Sequence, residues 1–143
     1  MPPKTEGILE SSLYVSDVPR SVRFYEETFG FRVISEFGER GCAMHAGIRQ
    51  VLLLFKKGAS RAIQSPHDGD GELHVAFAIP SDELANWESW LQTRGIAVEE
   101  KRTWDLGAGA FTFETQTTIW WSSPRRALGR SIENRCRGTT IAI

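Results

Sequence analysis

Two side chains with metal-type donor atoms stand in strand-like segments of this 143-residue sequence: Glu10 in ILESSLYV and His74 in GELHVAF. Period-two alternation puts Ile8, Glu10, Ser12 and Tyr14 on one face, and Leu9, Ser11, Leu13 and Val15 on the other. In the second segment Glu72, His74, Ala76 and Ala78 share a face. Their small neighbours leave room in front of the imidazole. Leu73, Val75, Phe77 and Ile79 turn the other way, toward a core. A buried, unpaired carboxylate is costly, so Glu10 has either a partner or a half-exposed edge position. A lone strand histidine is more often structural than functional. A carboxylate with an imidazole suits a divalent ion such as Zn, Ni, Mn, Fe or Co, but two ligands do not make a site.

The other candidates read more plainly. His45 faces away from Cys42, three residues earlier on its strand, and lines a groove at most. His67, in SPHDGDG, reads as a solvated loop residue. Arg49 and Lys56 offer cations to an anionic substrate, with surface solvation the simpler reading. Cys42 and Cys136 are far apart and form no CxxC, so both are expected as free thiols.

The elements that would hold these residues repeat. After the first strand, Asp17 caps a helix with Pro19 in its first turn. Val18, Val22, Tyr25 and Phe29 make its apolar face, and Gly30 stops it. Strands follow over Phe31–Glu36, 41–47 and Gln50–Phe55. Residues 57–71 form a polar connection rich in Gly and Pro. Then the pattern restarts. Glu72–Ile79 is a strand, Ser81 or Asp82 caps a helix faced by Leu84, Trp87, Trp90 and Leu91, Gly95 stops it, and Ile96–Glu100 is the next strand. An offset of 65 residues carries Asp17 to Asp82, Tyr25 to Trp90, Gly30 to Gly95 and Val33 to Val98. Two βαβββ modules are predicted, since one such unit buries too little apolar area to stand alone.

Bulk properties exclude several classes. A formal net charge of −1 gives no polycationic surface for nucleic acid. No apolar run approaches the ~20 residues of a membrane span. MPPKTEG lacks the apolar stretch of a signal peptide, so the expected location is cytoplasmic.

LYVSDVPRSVRFYEETFGFRV and GELHVAFAIPSDELANWESWLQTRGIAVE resemble the openings of the two modules of the vicinal-oxygen-chelate superfamily, over roughly residues 8–104. That superfamily includes glyoxalase I, fosfomycin-resistance enzymes, extradiol dioxygenases and bleomycin-binding proteins. The resemblance implies an α+β fold: a single domain of two βαβββ modules whose curled mixed sheets form an open barrel cleft. Module one is expected at 7–56, the linker at 57–71 and module two at 72–123. The resemblance also implies one divalent metal, with Glu10 and His74 at two ligand positions and a Glu on the last strand at the third. Through two open positions such a metal chelates vicinal oxygens of a small-molecule substrate and stabilises an oxyanion. Relatives often form homodimers.

From about residue 105 the chain departs from this pattern. The family ends in F-R-D-P-D, a turn and x-V-E-L. Here the sequence reads GAFTFETQTTIWWSSPRRALGRSIENRCRGTTIAI. Back-translated and read one base earlier, Ala110–Ser123 admits SFYFRDPDNNLVELA. The Trp120–Trp121 pair, both TGG, forces the valine of LVEL. Pro124–Ser131 then admits TPGTWAIY, and Ile132–Glu133 can hide a stop. A frameshift between about Trp104 and Gly109 is therefore expected, testable in the coding DNA. On this reading the missing Glu straddles Trp121 and Ser122, the third ligand is absent from this chain, and residues 124–143 are poorly ordered. AFTFET and TTIWWS retain strand propensity, with a register that need not be native.

The first functional class is thus a metal-dependent enzyme, a glyoxalase I-like lyase or isomerase or a resistance-type transferase, impaired in this chain. Extradiol dioxygenases rank lower because they usually carry a second pair of modules. The second class is a metal-free protein that binds a small molecule or antibiotic, as bleomycin-resistance proteins do. Glu10 and His74 favour the first.

Overall fold

The computed structural model describes residues 1–71, 73–104, 108–113 and 117–122. The chain divides into two compact units, Met1–Leu73 and His74–Ile143, each with its own sheet. Residues 124–143, expected to be poorly ordered, lie outside the described residues, as do Glu72 and Cys136.

In the first unit the order is β1 (Glu10–Val15), α1 (Val18–Phe29), β2 (Arg32–Glu36), β3 (Gly41–His45) and β4 (Val51–Lys56). The sheet runs β1-β4-β3-β2, with β1 parallel to β4 and the other pairs antiparallel. Helix α1 begins where the sequence sets it. The Asp17 carboxylate accepts from the Arg20 backbone N–H at 2.9 Å, satisfying one orphan donor of the first turn. Gly30 ends it in the left-handed conformation, φ 69°, which a side chain disfavours.

Alternation sorts the strand residues into two faces. Leu13, Cys42, Met44, Leu52 and Leu54 point one way and are all buried, as is Tyr25 of α1, which packs on β4. On the opposite face Ala43, Leu53 and Phe55 form a second cluster, packed by Tyr14, Phe37 and Val51 and by no residue of α1. Cys42 is a free thiol, as expected. Burial, and then the nearby carboxylates of Glu36 and Glu26, push its thiol above the ordinary range. It should therefore stay protonated at neutral pH. A thiol reagent is expected to label Cys42 only as fast as the first unit opens. Rapid labelling of native protein at that residue would contradict this.

In the second unit the order is β5 (Val75–Pro80), a 3₁₀ turn (Ser81–Glu83), α2 (Leu84–Thr93), β6 (Val98–Trp104), β7 (Ala108–Phe113) and β8 (Thr117–Ser122). Its sheet runs β5-β8-β7-β6, with β5 parallel to β8, repeating the first unit's topology. The helix start differs from the sequence reading. Neither Ser81 nor Asp82 caps α2, and no side chain accepts a capping hydrogen bond at its start. Pro80, extended at φ −59° and ψ 142°, feeds the 3₁₀ turn instead, and α2 begins only at Leu84. Leu91 is fully buried, whereas Trp90 is 40% exposed, with the Arg94 guanidinium 4.4 Å over its ring. An ion pair between Lys101 and Glu88 joins β6 to α2. Strand β5 begins at Val75, so His74 stands just before it rather than inside it.

Candidate functional site

The candidate site is the face of the first sheet that α1 leaves open. Strand register gives it three rows. Glu10, Val51, His45 and Arg32 make the first; Ser12, Leu53, Ala43 and Ser35 the second; Tyr14, Phe55 and Gly41 the third. Glu10 opens β1, is exposed, and its carboxylate has no partner among the described residues. This answers its cost in sequence terms: it remains in water, on the same face as Tyr14. His45 is also exposed, in the same row as Glu10 with only Val51 between them.

The third row is aromatic. Tyr14 stacks beside Phe55 with ring centroids 6.0 Å apart, and Phe37 also stacks on Phe55, at 5.7 Å. Residues 57–71 fold back over this row as a strap. His67 is therefore not the solvated residue the sequence suggests. Its ring meets Phe55 edge-on at 4.4 Å, and Nδ1 lies 2.9 Å from the Tyr14 hydroxyl. When the phenol donates to Nδ1, the imidazole proton sits on Nε2. Gly69 lies against the Tyr14 ring so closely that a Cβ there would stand 2.5 Å from Tyr14 Cδ2. The loop composition was legible in the sequence. The packing was not, because irregular backbone carries no periodicity that assigns a residue to a face.

Asp68 fastens the strap. Its Oδ1 accepts from the backbone N–H of Gly58 at 3.1 Å and of Gly69 at 3.0 Å, and Oδ2 accepts from Arg61. Ser60, 1% exposed, accepts a 3.2 Å bond from the His67 N–H through its carbonyl and a 3.4 Å bond from Arg40 through its hydroxyl. The Gly58 N–H first, with Arg61 next, holds the Asp68 carboxyl below the usual carboxylate range. A depressed native pKa stabilises the strap above the ordinary carboxylate value of ~3.9, and that contribution disappears as pH falls through the native value. The expected result is that Asp68→Ala raises hydrogen exchange at the Gly58 and Gly69 amides at neutral pH. Wild type should approach the same state only in acid. Unchanged protection in the variant would remove Asp68 from this role.

His74 opens the second unit and is exposed. On β5 the described burial alternates, with Val75, Phe77 and Ile79 half-buried and Ala76, Ala78 and Pro80 exposed, as the sequence pattern sets out. Strand β8 pairs Phe77 with Ile119, Ile79 with Trp121 and Pro80 with Ser122. Its sequence, TTIWWS, brings no carboxylate to this sheet. Among the described residues no three His, Cys, Asp or Glu side chains gather as a metal cluster would. Among the described residues the donors present thus fall short of a complete metal centre. Arg49 is an exposed residue paired with Glu6 at 3.3 Å, and Lys56 is exposed at the end of β4. Among the described residues no helix is long and apolar enough to cross a membrane.

Paired β-α-β-β-β units with a parallel closing strand define a protein class. The model of the Glyoxalase/Bleomycin resistance protein/Dioxygenase superfamily matches residues 7–122, and the chain belongs to that superfamily. No curated protein matches. Among solved structures, the chain is similar to lactoylglutathione lyase from Agrobacterium tumefaciens, at 22% identity and a TM-score of 0.71. That match covers 83% of this chain and 94% of that one. A glyoxalase/bleomycin resistance protein/dioxygenase from Nocardioides matches at 16% identity and a TM-score of 0.68, over 90% and 91% of the two chains. A mutant of the fosfomycin resistance protein FosX from Listeria monocytogenes, complexed with Mn(II) and 1S,2S-dihydroxypropylphosphonic acid, matches at 16% identity and a TM-score of 0.58. Coverage there is 83% and 90%. These likenesses show the fold.

Proposed function

We propose that the chain derives from a divalent-metal-dependent enzyme acting on a small molecule, of the lactoylglutathione-lyase or resistance-transferase type, and that this polypeptide is impaired in that reaction. The observation that carries the reading is the contrast between strands. Glu10 keeps a free carboxylate on the open face of β1, and His74 stands at the head of β5, while β8 offers no carboxylate. A strand ligand set retained at two corners and missing at the third fits a site that has lost its metal rather than one that never held it. The shift of reading frame inferred near Trp104–Gly109 supplies a cause. FosX, complexed with Mn(II), supports the choice of a divalent metal for the lineage. A homodimer and a cytoplasmic location belong to the same reading, and sedimentation tests the dimer.

The deciding measurement is metal content after exposure to Zn(II), Ni(II), Mn(II), Fe(II) and Co(II), for this chain and for its frame-restored counterpart. Retention by neither would sink the enzyme reading. It would leave the metal-free binder of small molecules or antibiotics, with which a donor set incomplete among the described residues also agrees. That alternative requires saturable binding of an aromatic antibiotic without added metal.

A further inference from the structure

The first row of the open face carries more than Glu10. His45 ends β3 and Arg32 begins β2, and the two are directly opposed across an antiparallel pair. Directly opposed residues hold their Cβ atoms about 4.5–5.5 Å apart on one face. The face is the open one: the next pair, Val33 with Met44, turns toward α1, and Met44 is fully buried. Both Arg32 and His45 are exposed, and among the described residues neither side chain has a hydrogen-bond or ion-pair partner.

We propose that Arg32 and His45 form an oxyanion subsite that holds the carboxylate or phosphonate end of a small ligand on the open face of the first unit. The guanidinium supplies a fixed fork of N–H donors, and the imidazole supplies one donor when neutral and two when protonated. The charges around His45 decide between an anion and a cation here. Arg32 is its immediate neighbour from β2. Glu10 of β1 lies two strand spacings away, about 10 Å, beyond the ~8 Å screening length at physiological salt. Val51 of β4 between them is uncharged, and Arg49 of the β3–β4 hairpin is occupied by Glu6. The nearer positive charge therefore sets the sign. In calling the ligand a substrate, the proposal rests on the enzyme reading above. It fixes the substrate class: a small molecule whose anionic end sits about 10–14 Å along the row from Glu10.

The test uses the full chain without metal, so its outcome is independent of whether a metal centre can be restored. Inorganic phosphate and acetate are titrated at pH 6 while the His45 imidazole is followed by NMR. Wild type should show a saturable shift. Arg32→Gln and His45→Gln, both at exposed positions, should weaken binding at least about tenfold, while Arg23→Gln, an exposed control on α1, should leave it unchanged. Preference for phosphate assigns the subsite to phosphonate-like groups, and preference for acetate assigns it to carboxylates. Absence of saturation, or equal binding by Arg32→Gln, overturns the proposal. So does a site on His45 that takes Zn(II) and is lost in Glu10→Gln, because the row would then be a cation site.

Discussion

Replacing Gly41 with alanine should shift the urea midpoint of the first unit sharply downward, because one methyl group has nowhere to go. Gly41 begins β3 at φ 147°, and a Cβ built there would stand 1.9 Å from the Leu54 carbonyl oxygen and 2.9 Å from its carbon. These are backbone atoms of the neighbouring central strand, so no rotamer change relieves the contact. Strand β4 would have to move away from β3, disturbing Leu54 and Phe55, which serve the two opposite cores. Overpacking of a tight site costs about 1–3 kcal/mol, and a non-glycine residue in a sparsely populated backbone region costs a similar amount. Together they approach the lower end of a domain's total stability of ~5–15 kcal/mol. Circular dichroism against urea measures the effect, and a midpoint equal to wild type would show that the close approach at Gly41 is not present in solution.

Restoring the alternative frame over residues 110–123 should produce the largest chemical change. The expected outcome is one tightly held divalent ion per repaired chain and weak or no retention by the present one. In the repaired protein Glu10→Gln and His74→Gln should each weaken metal affinity by at least ~100-fold, since even the residues that merely support ligands cost 10–100-fold when changed. Calorimetric titration with Zn(II) or Mn(II) reads this directly. If the repaired protein binds metal but the two variants bind as well as it does, Glu10 and His74 are not its ligands. The coding DNA gives a separate check. A wobble base at Thr112, Phe113 or Ile119 that breaks the alternative reading excludes the frameshift, whatever the metal does.

Local chemistry made much of this architecture legible in sequence. The Asp17 cap, the Gly30 stop and the Tyr25 face of α1 each rest on a residue acting on its own neighbourhood, and the structure has them in place. Period-two alternation put Glu10 with Tyr14 and opposite Leu13, and the burial of Leu13 agrees. The same alternation gave the half-buried Val75, Phe77 and Ile79. What was not legible depends on contacts far apart in sequence. His67 meets Tyr14 across 53 positions, and no spacing rule connects a loop residue to a strand that distant. The opposition of Arg32 and His45 depends on the register of β2 on β3, which shifts between Val33 and Ser35. The start of α2 was misplaced because Pro80 and the 3₁₀ turn compete with the capping residues that the pattern favours.

Both sheets are closed by a parallel pair between the first and last strands of a unit, β1 with β4 and β5 with β8. On the ribosome this sets an order of completion. The first unit can close once residues to Lys56 have emerged, long before synthesis ends. In the second, β5 is made before the residues 117–122 that cover its edge. An uncovered strand edge is a template for pairing with other chains. The present sequence over 117–122 still supplies that partner, from Val75 with Thr117 to Pro80 with Ser122, so the edge of β5 stays covered even where β8 brings no carboxylate.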